Sequence, residues 1–147
     1  MRDLELALKA AGDPTRTRIL KLLEGGGLCV CQVQAVLDLA PSTTSRHLSI
    51  LENAGLVEAR RDGKWVIYAL AEGARNAHAR QVLSLLRASL DREPAVLADR
   101  RRLRDVRAVP MSELCSLPAA RLAVSLPGAR NAAGARSRKG TRERRRD

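Results

Sequence analysis

Apolar residues in the first forty positions recur at helical spacing, and short breaks of glycine, aspartate and proline cut them into segments. Leu4, Leu6, Ala7, Leu8 and Ala11 predict a short first helix, which Gly12-Asp13-Pro14 ends. Asp13 is placed to cap a second helix and Pro14 to open it. Ile19, Leu20, Leu22 and Leu23 form its buried side, and Gly25-Gly26-Gly27 stops it. Val33, Val36 and Leu37 mark a third stripe that ends near Asp38. Pro41 opens a fourth helix over residues 42–54. Its Leu48, Ile50 and Leu51 face inward, while Ser42, Thr43, Thr44, Ser45 and Arg46 crowd an exposed start. Gly55 is its C-terminal stop.

The pattern then becomes strand-like. Residues 56–60 and 65–70 flank the polar run Arg61-Asp62-Gly63-Lys64 and predict a β-hairpin, because Asp-Gly takes the positive backbone angles of a tight hairpin turn. Ala74, Ala77, Val82, Leu85, Leu86 and Ser89 line a helix over residues 73–90. After Pro94, the sparse anchors Val96, Leu97, Leu103 and Val106 suggest a further helix over 95–109. The fold class is mainly α with a small β-hairpin, ordered α-α-α-α-β-β-α. Two helices joined by a tight turn and followed by a basic hairpin describe a winged helix-turn-helix. The chain divides into a folded unit over 1–92, a C-terminal extension over 93–117 that carries Cys115, and a basic tail over 118–147. The tail is rich in Arg, Ala, Gly and Ser and is expected to be disordered.

Charge adds a partner to this picture. Of 27 basic and 16 acidic residues, residues 121–147 hold nine basic and two acidic, so most of the +11 net charge sits in the tail. A polyanion, foremost nucleic acid, is the partner this implies. The exposed start of the fourth helix could enter a major groove with Ser42, Thr43, Ser45, Arg46 and His47 at base edges or phosphates. Arg60, Arg61 and Lys64 cluster on the hairpin, where they could neutralise phosphate or reach a minor groove. His47 reads as a backbone contact or a packing residue rather than a metal ligand. Trp65 and Tyr68 are the only aromatics, too few for a stacking RNA-binding surface.

The remaining chemistry is in the thiols. Cys29-Val30-Cys31 directly precedes the helix-turn-helix, and Cys115 is the only other cysteine. This is no secreted disulfide framework, and without an apolar membrane run or signal segment a cytoplasmic location is expected. Soft thiolates suit a thiophilic ion. Positions i and i+2 of a regular helix lie about 200° apart, so the pair can chelate one ion only if the segment is extended or its first turn unwinds. No Cys-x-x-Cys or triad pattern supports an enzyme, and no catalytic cofactor is expected.

Taken together, Ala11-Gly12-Asp13-Pro14-Thr15-Arg16, Cys29-Val30-Cys31, Ser42-Thr43-Thr44-Ser45-Arg46-His47-Leu48, Ala54-Gly55-Leu56-Val57 and Arg60-Arg61-Asp62-Gly63-Lys64-Trp65-Val66 resemble the ArsR/SmtB family of metal- and metalloid-sensing repressors, over about residues 4–90. The resemblance implies a homodimer packed through the first helix and the helix over 73–90. It also implies operator DNA as partner, and release when trivalent arsenic or antimony binds Cys29 and Cys31. Some members carry another cysteine three residues after the pair. Here that position is Gln34, which leaves Cys115 as a third ligand or as a lone thiol. A second branch uses paired acidic and histidine ligands on its last dimerisation helix, where this chain has only His78. The alternative function is a thiol redox switch, using Cys29 and Cys31 or one of them with Cys115.

Overall fold

The computed structural model describes residues 1–72 and 75–117. The tail expected over 118–147 lies outside these, as do residues 73 and 74 of the expected fifth helix. In chain order the elements are α1 (Arg2–Ala11), α2 (Pro14–Leu23), β1 (Leu28–Cys29), α3 (Val30–Leu37), α4 (Pro41–Asn53), β2 (Val57–Asp62), β3 (Trp65–Leu70), α5 (Ala79–Leu90), α6 (Pro94–Arg107) and α7 (Met111–Leu114). The three strands form one antiparallel sheet in the order β1-β3-β2.

Local chemistry explains the boundaries. The Asp13 carboxylate accepts from the Arg16 amide at 2.9 Å, capping α2 behind Pro14. Arg16 turns back to donate to the Ala10 and Lys9 carbonyls at 2.6 and 3.1 Å, satisfying the free end of α1. Asp38 takes a left-handed conformation at the end of α3, and Gly55 does so after α4.

Two expected boundaries move. The hairpin loop is Gly63-Lys64 rather than a four-residue turn: Asp62 pairs with Trp65, and only Gly63 takes a positive φ, as the first residue of a two-residue loop can. The fifth helix begins at Ala79 rather than at 73, because buried Asn76 holds a turn. Its side chain accepts from the His78 amide at 2.9 Å and donates to the carbonyls of Asp3 and Ala54 at 2.8 and 2.9 Å.

Ile19, Leu20, Leu22, Leu28, Val33, Val36, Leu48, Leu51, Leu56 and Val57 form the centre of the core. Strand β1 was not expected; it pairs Leu28 with Tyr68 and Cys29 with Ile67. Helix α6 packs against both α2 and α3, burying Val96, Leu103 and Val106, and Leu114 of α7 is buried as well. Full burial of such a side chain contributes about 1.5–3 kcal/mol, so apolar contact holds α6 and α7 to the body.

Charged contacts lie beside these apolar ones. Arg18 makes two 2.7 Å hydrogen bonds to Asp99. Buried Lys21 binds Glu24 and Asp91, each at 2.7 Å, and Arg100 binds the same two carboxylates at 3.1 and 2.8 Å. Lys21, then Arg100, hold the Asp91 carboxyl down to about 2.

Candidate thiol site and DNA interface

The turn from β1 into α3 sets the thiol pair. Cys29 has extended backbone (φ −81°, ψ 164°) and caps α3, while Gln32 accepts from its amide at 3.0 Å in a capping box. Cys31 lies in the first helical turn. The extended alternative is therefore the one realised: Cys29 sits before the helix, so its sulfur is not carried to the face opposite Cys31.

Helix α6 and the short α7 bring Cys115 to the same place. Its sulfur is 3.9 Å from that of Cys29, and the sulfurs of Cys29, Cys31 and Cys115 all lie within 4.8 Å of one another. Metal–sulfur bonds of about 2.3 Å at tetrahedral angles separate thiolates by about 3.8 Å, so three-sulfur coordination needs only a modest contraction. All three cysteines are free; Cys29 is buried and the other two are half-buried. Burial pushes the Cys31 thiol up, partly offset by its hydrogen bond with Cys115. Burial pushes Cys115 up much further, reinforced by Cys31 and Cys29. At rest Cys31 and Cys115 are therefore protonated at neutral pH. The positive N-terminal end of α3 lies at the pair, where it would offset the negative charge of an ion–sulfur complex.

The residues expected to meet DNA are spread over two elements. Ser42, Thr43, Ser45 and Arg46 are exposed on the first turns of α4. Thr44, expected beside them, is fully buried, and its hydroxyl donates to the Ala40 carbonyl at 3.0 Å. His47 is half-buried, and its Nδ1 is buried without a hydrogen-bond partner. Arg60, Arg61 and Lys64 are exposed on the hairpin, with the Lys64 ammonium 4.8 Å from the centre of the Trp65 ring.

The thiol site touches both surfaces. Cys29 is paired through β1 to β3 of the hairpin, and Cys31 belongs to α3, which packs on α4. Arg18 and Asp99, which bear on where α6 lies, were not singled out from the sequence. The spacing Val96, Asp99, Leu103, Val106 was the available signal, since it places a carboxylate on the inward stripe of α6.

A family model described as bacterial regulatory protein, arsR family, matches residues 13–59. An uncharacterised HTH-type transcriptional regulator of Methanocaldococcus jannaschii is 49% identical over 65 residues, 44% of this chain and 73% of that protein. The arsenical resistance operon repressor of Escherichia coli K12 is 45% identical over 64 residues, 43% of this chain and 55% of that protein. The cadmium resistance regulatory protein CadC homolog of Staphylococcus aureus is 39% identical over 69 residues, 46% of this chain and 57% of that protein. The chain thus spans little more than half the length of the two resistance regulators. Among solved structures, the homodimeric winged helix-turn-helix DNA-binding domain Mb0332 of Mycobacterium bovis is similar, with a TM-score of 0.53 and 27% identity over 63% of this chain and 82% of that one. These relatives are transcription regulators, not enzymes, and among the described residues no helix is long and apolar enough to cross a membrane.

Proposed function

Because the chain belongs to the arsR family of winged helix-turn-helix transcriptional regulators, we propose that it is a dimeric repressor of a metalloid-resistance operon, released from operator DNA when Cys29, Cys31 and Cys115 bind trivalent arsenic or antimony. The observation that carries this reading is the gathering of all three sulfurs where α3 meets β1. Ser42, Thr43, Ser45, Arg46 and His47 read the major groove, and Arg60, Arg61 and Lys64 hold the flanking backbone.

The dimer forms through α1 and α5, where Leu4, Leu6, Leu8 and Leu85 stand exposed and the two helices pack together. Drawing the sulfurs onto one ion shifts β1 against β3 and the first turn of α3 against α4. The recognition helices and wings then lose the half-site spacing of roughly 34–36 Å that a two-fold dimer presents to DNA. A coupling of about 1–3 kcal/mol between the sites weakens DNA binding about 5- to 150-fold.

The test is fluorescence anisotropy of reduced protein on its own upstream promoter DNA, titrated with trivalent arsenic, antimony, zinc or cadmium, alongside Cys29→Ser, Cys31→Ser and Cys115→Ser. Release by arsenic or antimony that is lost in Cys29→Ser and Cys31→Ser and weakened in Cys115→Ser is the expected result. DNA binding unchanged by every ion would refute the sensor.

The 3.9 Å approach of Cys29 and Cys115 favours a second reading, a redox switch. There the two thiols surrender two electrons and two protons to a peroxide, which becomes water and an alcohol or a second water, and a disulfide forms between the sulfurs. A loss of two mass units on peroxide treatment, with release of DNA that dithiothreitol reverses, identifies that behaviour.

A further inference from the structure

Cys115 reaches the thiol pair only because α6 lies across α2 and α3 at one particular offset. Val96, Leu103, Val106 and Leu114 bury the apolar side of this arm. Leucine and valine contacts are non-directional, so they hold the arm down without fixing how far it slides or rolls. One contact on its inward stripe is directional. Asp99 is only 5% exposed and receives both Arg18 Nε and Arg18 Nη2 at 2.7 Å, a two-pronged pairing whose planar geometry tolerates little displacement.

Two other directional contacts leave α6, from Arg100 to Glu24 and Asp91 and from Arg107 Nη2 to the Gly25 carbonyl at 3.0 Å, but each is single-pronged at its acceptor and none ends on a carboxylate as buried as Asp99. Asp99 is buried and Arg18 partly exposed, and the cost of desolvating Asp99 cancels much of the attraction, so Arg18–Asp99 adds little to net stability. What it supplies is register.

We propose that Asp99, held by Arg18, is a positioning residue for the third sulfur ligand: it sets α6 on α2 so that α7 delivers Cys115 to Cys29 and Cys31. This rests on the reading of Cys115 as a ligand of the thiol site. A rotation or slide of α6 would be transmitted through the 108–110 turn to α7, and the third sulfur would leave the cluster while the other two stayed.

The full-length reduced protein provides the test, with two probes. Arsenite exchanges three oxygens for three thiols. Phenylarsine oxide carries one carbon on arsenic and takes only two. Binding of each is followed by sulfur-to-arsenic charge-transfer absorbance in the wild type, Asp99→Asn, Cys115→Ser and their combination. Arg18→Met/Asp99→Leu is included because it replaces the ion pair with apolar groups and keeps the arm buried.

Expected is an arsenite affinity about 10- to 100-fold weaker in Asp99→Asn, as for loss of a partner that orients a ligand, with phenylarsine oxide affinity unchanged. The combined variant should match Cys115→Ser alone, and Arg18→Met/Asp99→Leu should bind arsenite as weakly as Cys115→Ser while melting no lower than wild type. Wild-type arsenite affinity in Arg18→Met/Asp99→Leu would overturn the proposal, as would an Asp99→Asn effect that persists in the Cys115→Ser background or extends to phenylarsine oxide. If Cys115→Ser itself binds arsenite like wild type, Cys115 is no ligand, and the three-sulfur reading fails together with the positioning role.

Discussion

The protonation of the thiols discriminates between ions. Burial raises Cys31 and Cys115 above the ordinary thiol range, so both are neutral S–H groups at pH 7. Arsenous acid brings three hydroxides, and each thiol proton leaves with one of them as water, so the exchange releases no proton to solvent. A hydrated divalent ion brings no such base, and every displaced thiol proton must enter solvent. Below the raised thiol values, cadmium affinity should therefore rise with pH by about tenfold per pH unit for each proton displaced, while arsenite affinity stays nearly level. Titrations of the reduced protein with each ion at about pH 6, 7 and 8, read by charge-transfer absorbance, check this. A flat cadmium profile would show that the thiols are already ionised, contrary to the burial that surrounds them. At this scale the sequence was informative about Cys29 and Cys31, because two thiols one residue apart ahead of a helix are chemically conspicuous. It left Cys115 open, because it lies 84 positions after Cys31 and no local spacing connects them.

Among the elements, the three-stranded sheet ties the thiol site to the wing, and Gly27, just before β1, lies close against β3. A Cβ there would meet Ile67 Cγ2 at 2.6 Å and the Tyr68 carbonyl at 3.4 Å. Cγ2 branches directly from Cβ, so it cannot swing clear as the end of a long side chain could. Gly27→Ala should push β1 off β3 and lower stability by about 1–3 kcal/mol, the usual range for an overpacked site. Gly25→Ala is the matched control: its Cβ would make only ordinary contacts, with the flexible Arg107 guanidinium at 3.6 Å and the Leu22 carbonyl oxygen at 3.7 Å, so its effect should be within about 0.5 kcal/mol. Equal melting temperatures for the two variants would show that β1 yields without cost and that the sheet transmits little. The hairpin and the first four helices were legible in the sequence because periodicity and turn chemistry are local signals. Strand β1 was not, since two residues form no pattern and the pairing of Leu28 with Tyr68 is a long-range contact. The start of α5 was missed for a related reason. Asn76 reads as an ordinary polar helix residue until its side chain is seen to bind Asp3 and Ala54 from distant elements.

For the whole molecule, the two proposed tasks draw on different numbers of subunits. The three sulfurs come from one chain, through β1, α3 and the α6–α7 arm, whereas reading a two-fold operator needs two copies of α4 and of the wing. Leu85 on α5 is 60% exposed and Leu8 on α1 is 50% exposed, and neither contributes to the thiol cluster. Charging this surface should therefore separate the tasks. Leu8→Glu/Leu85→Glu should give a monomer by sedimentation velocity that binds arsenite with wild-type affinity. Operator binding should fall toward the salt-sensitive, sequence-independent level, because one recognition helix and one wing neutralise too few phosphates to hold a single site. Loss of arsenite binding together with the dimer would mean that the sulfurs are held in place across the subunit boundary, and the single-chain site would have to be abandoned. Retained operator affinity in a demonstrated monomer would instead remove the half-site geometry from the release mechanism and leave the wing, linked to Cys29 through β3, as the element that responds to the ion.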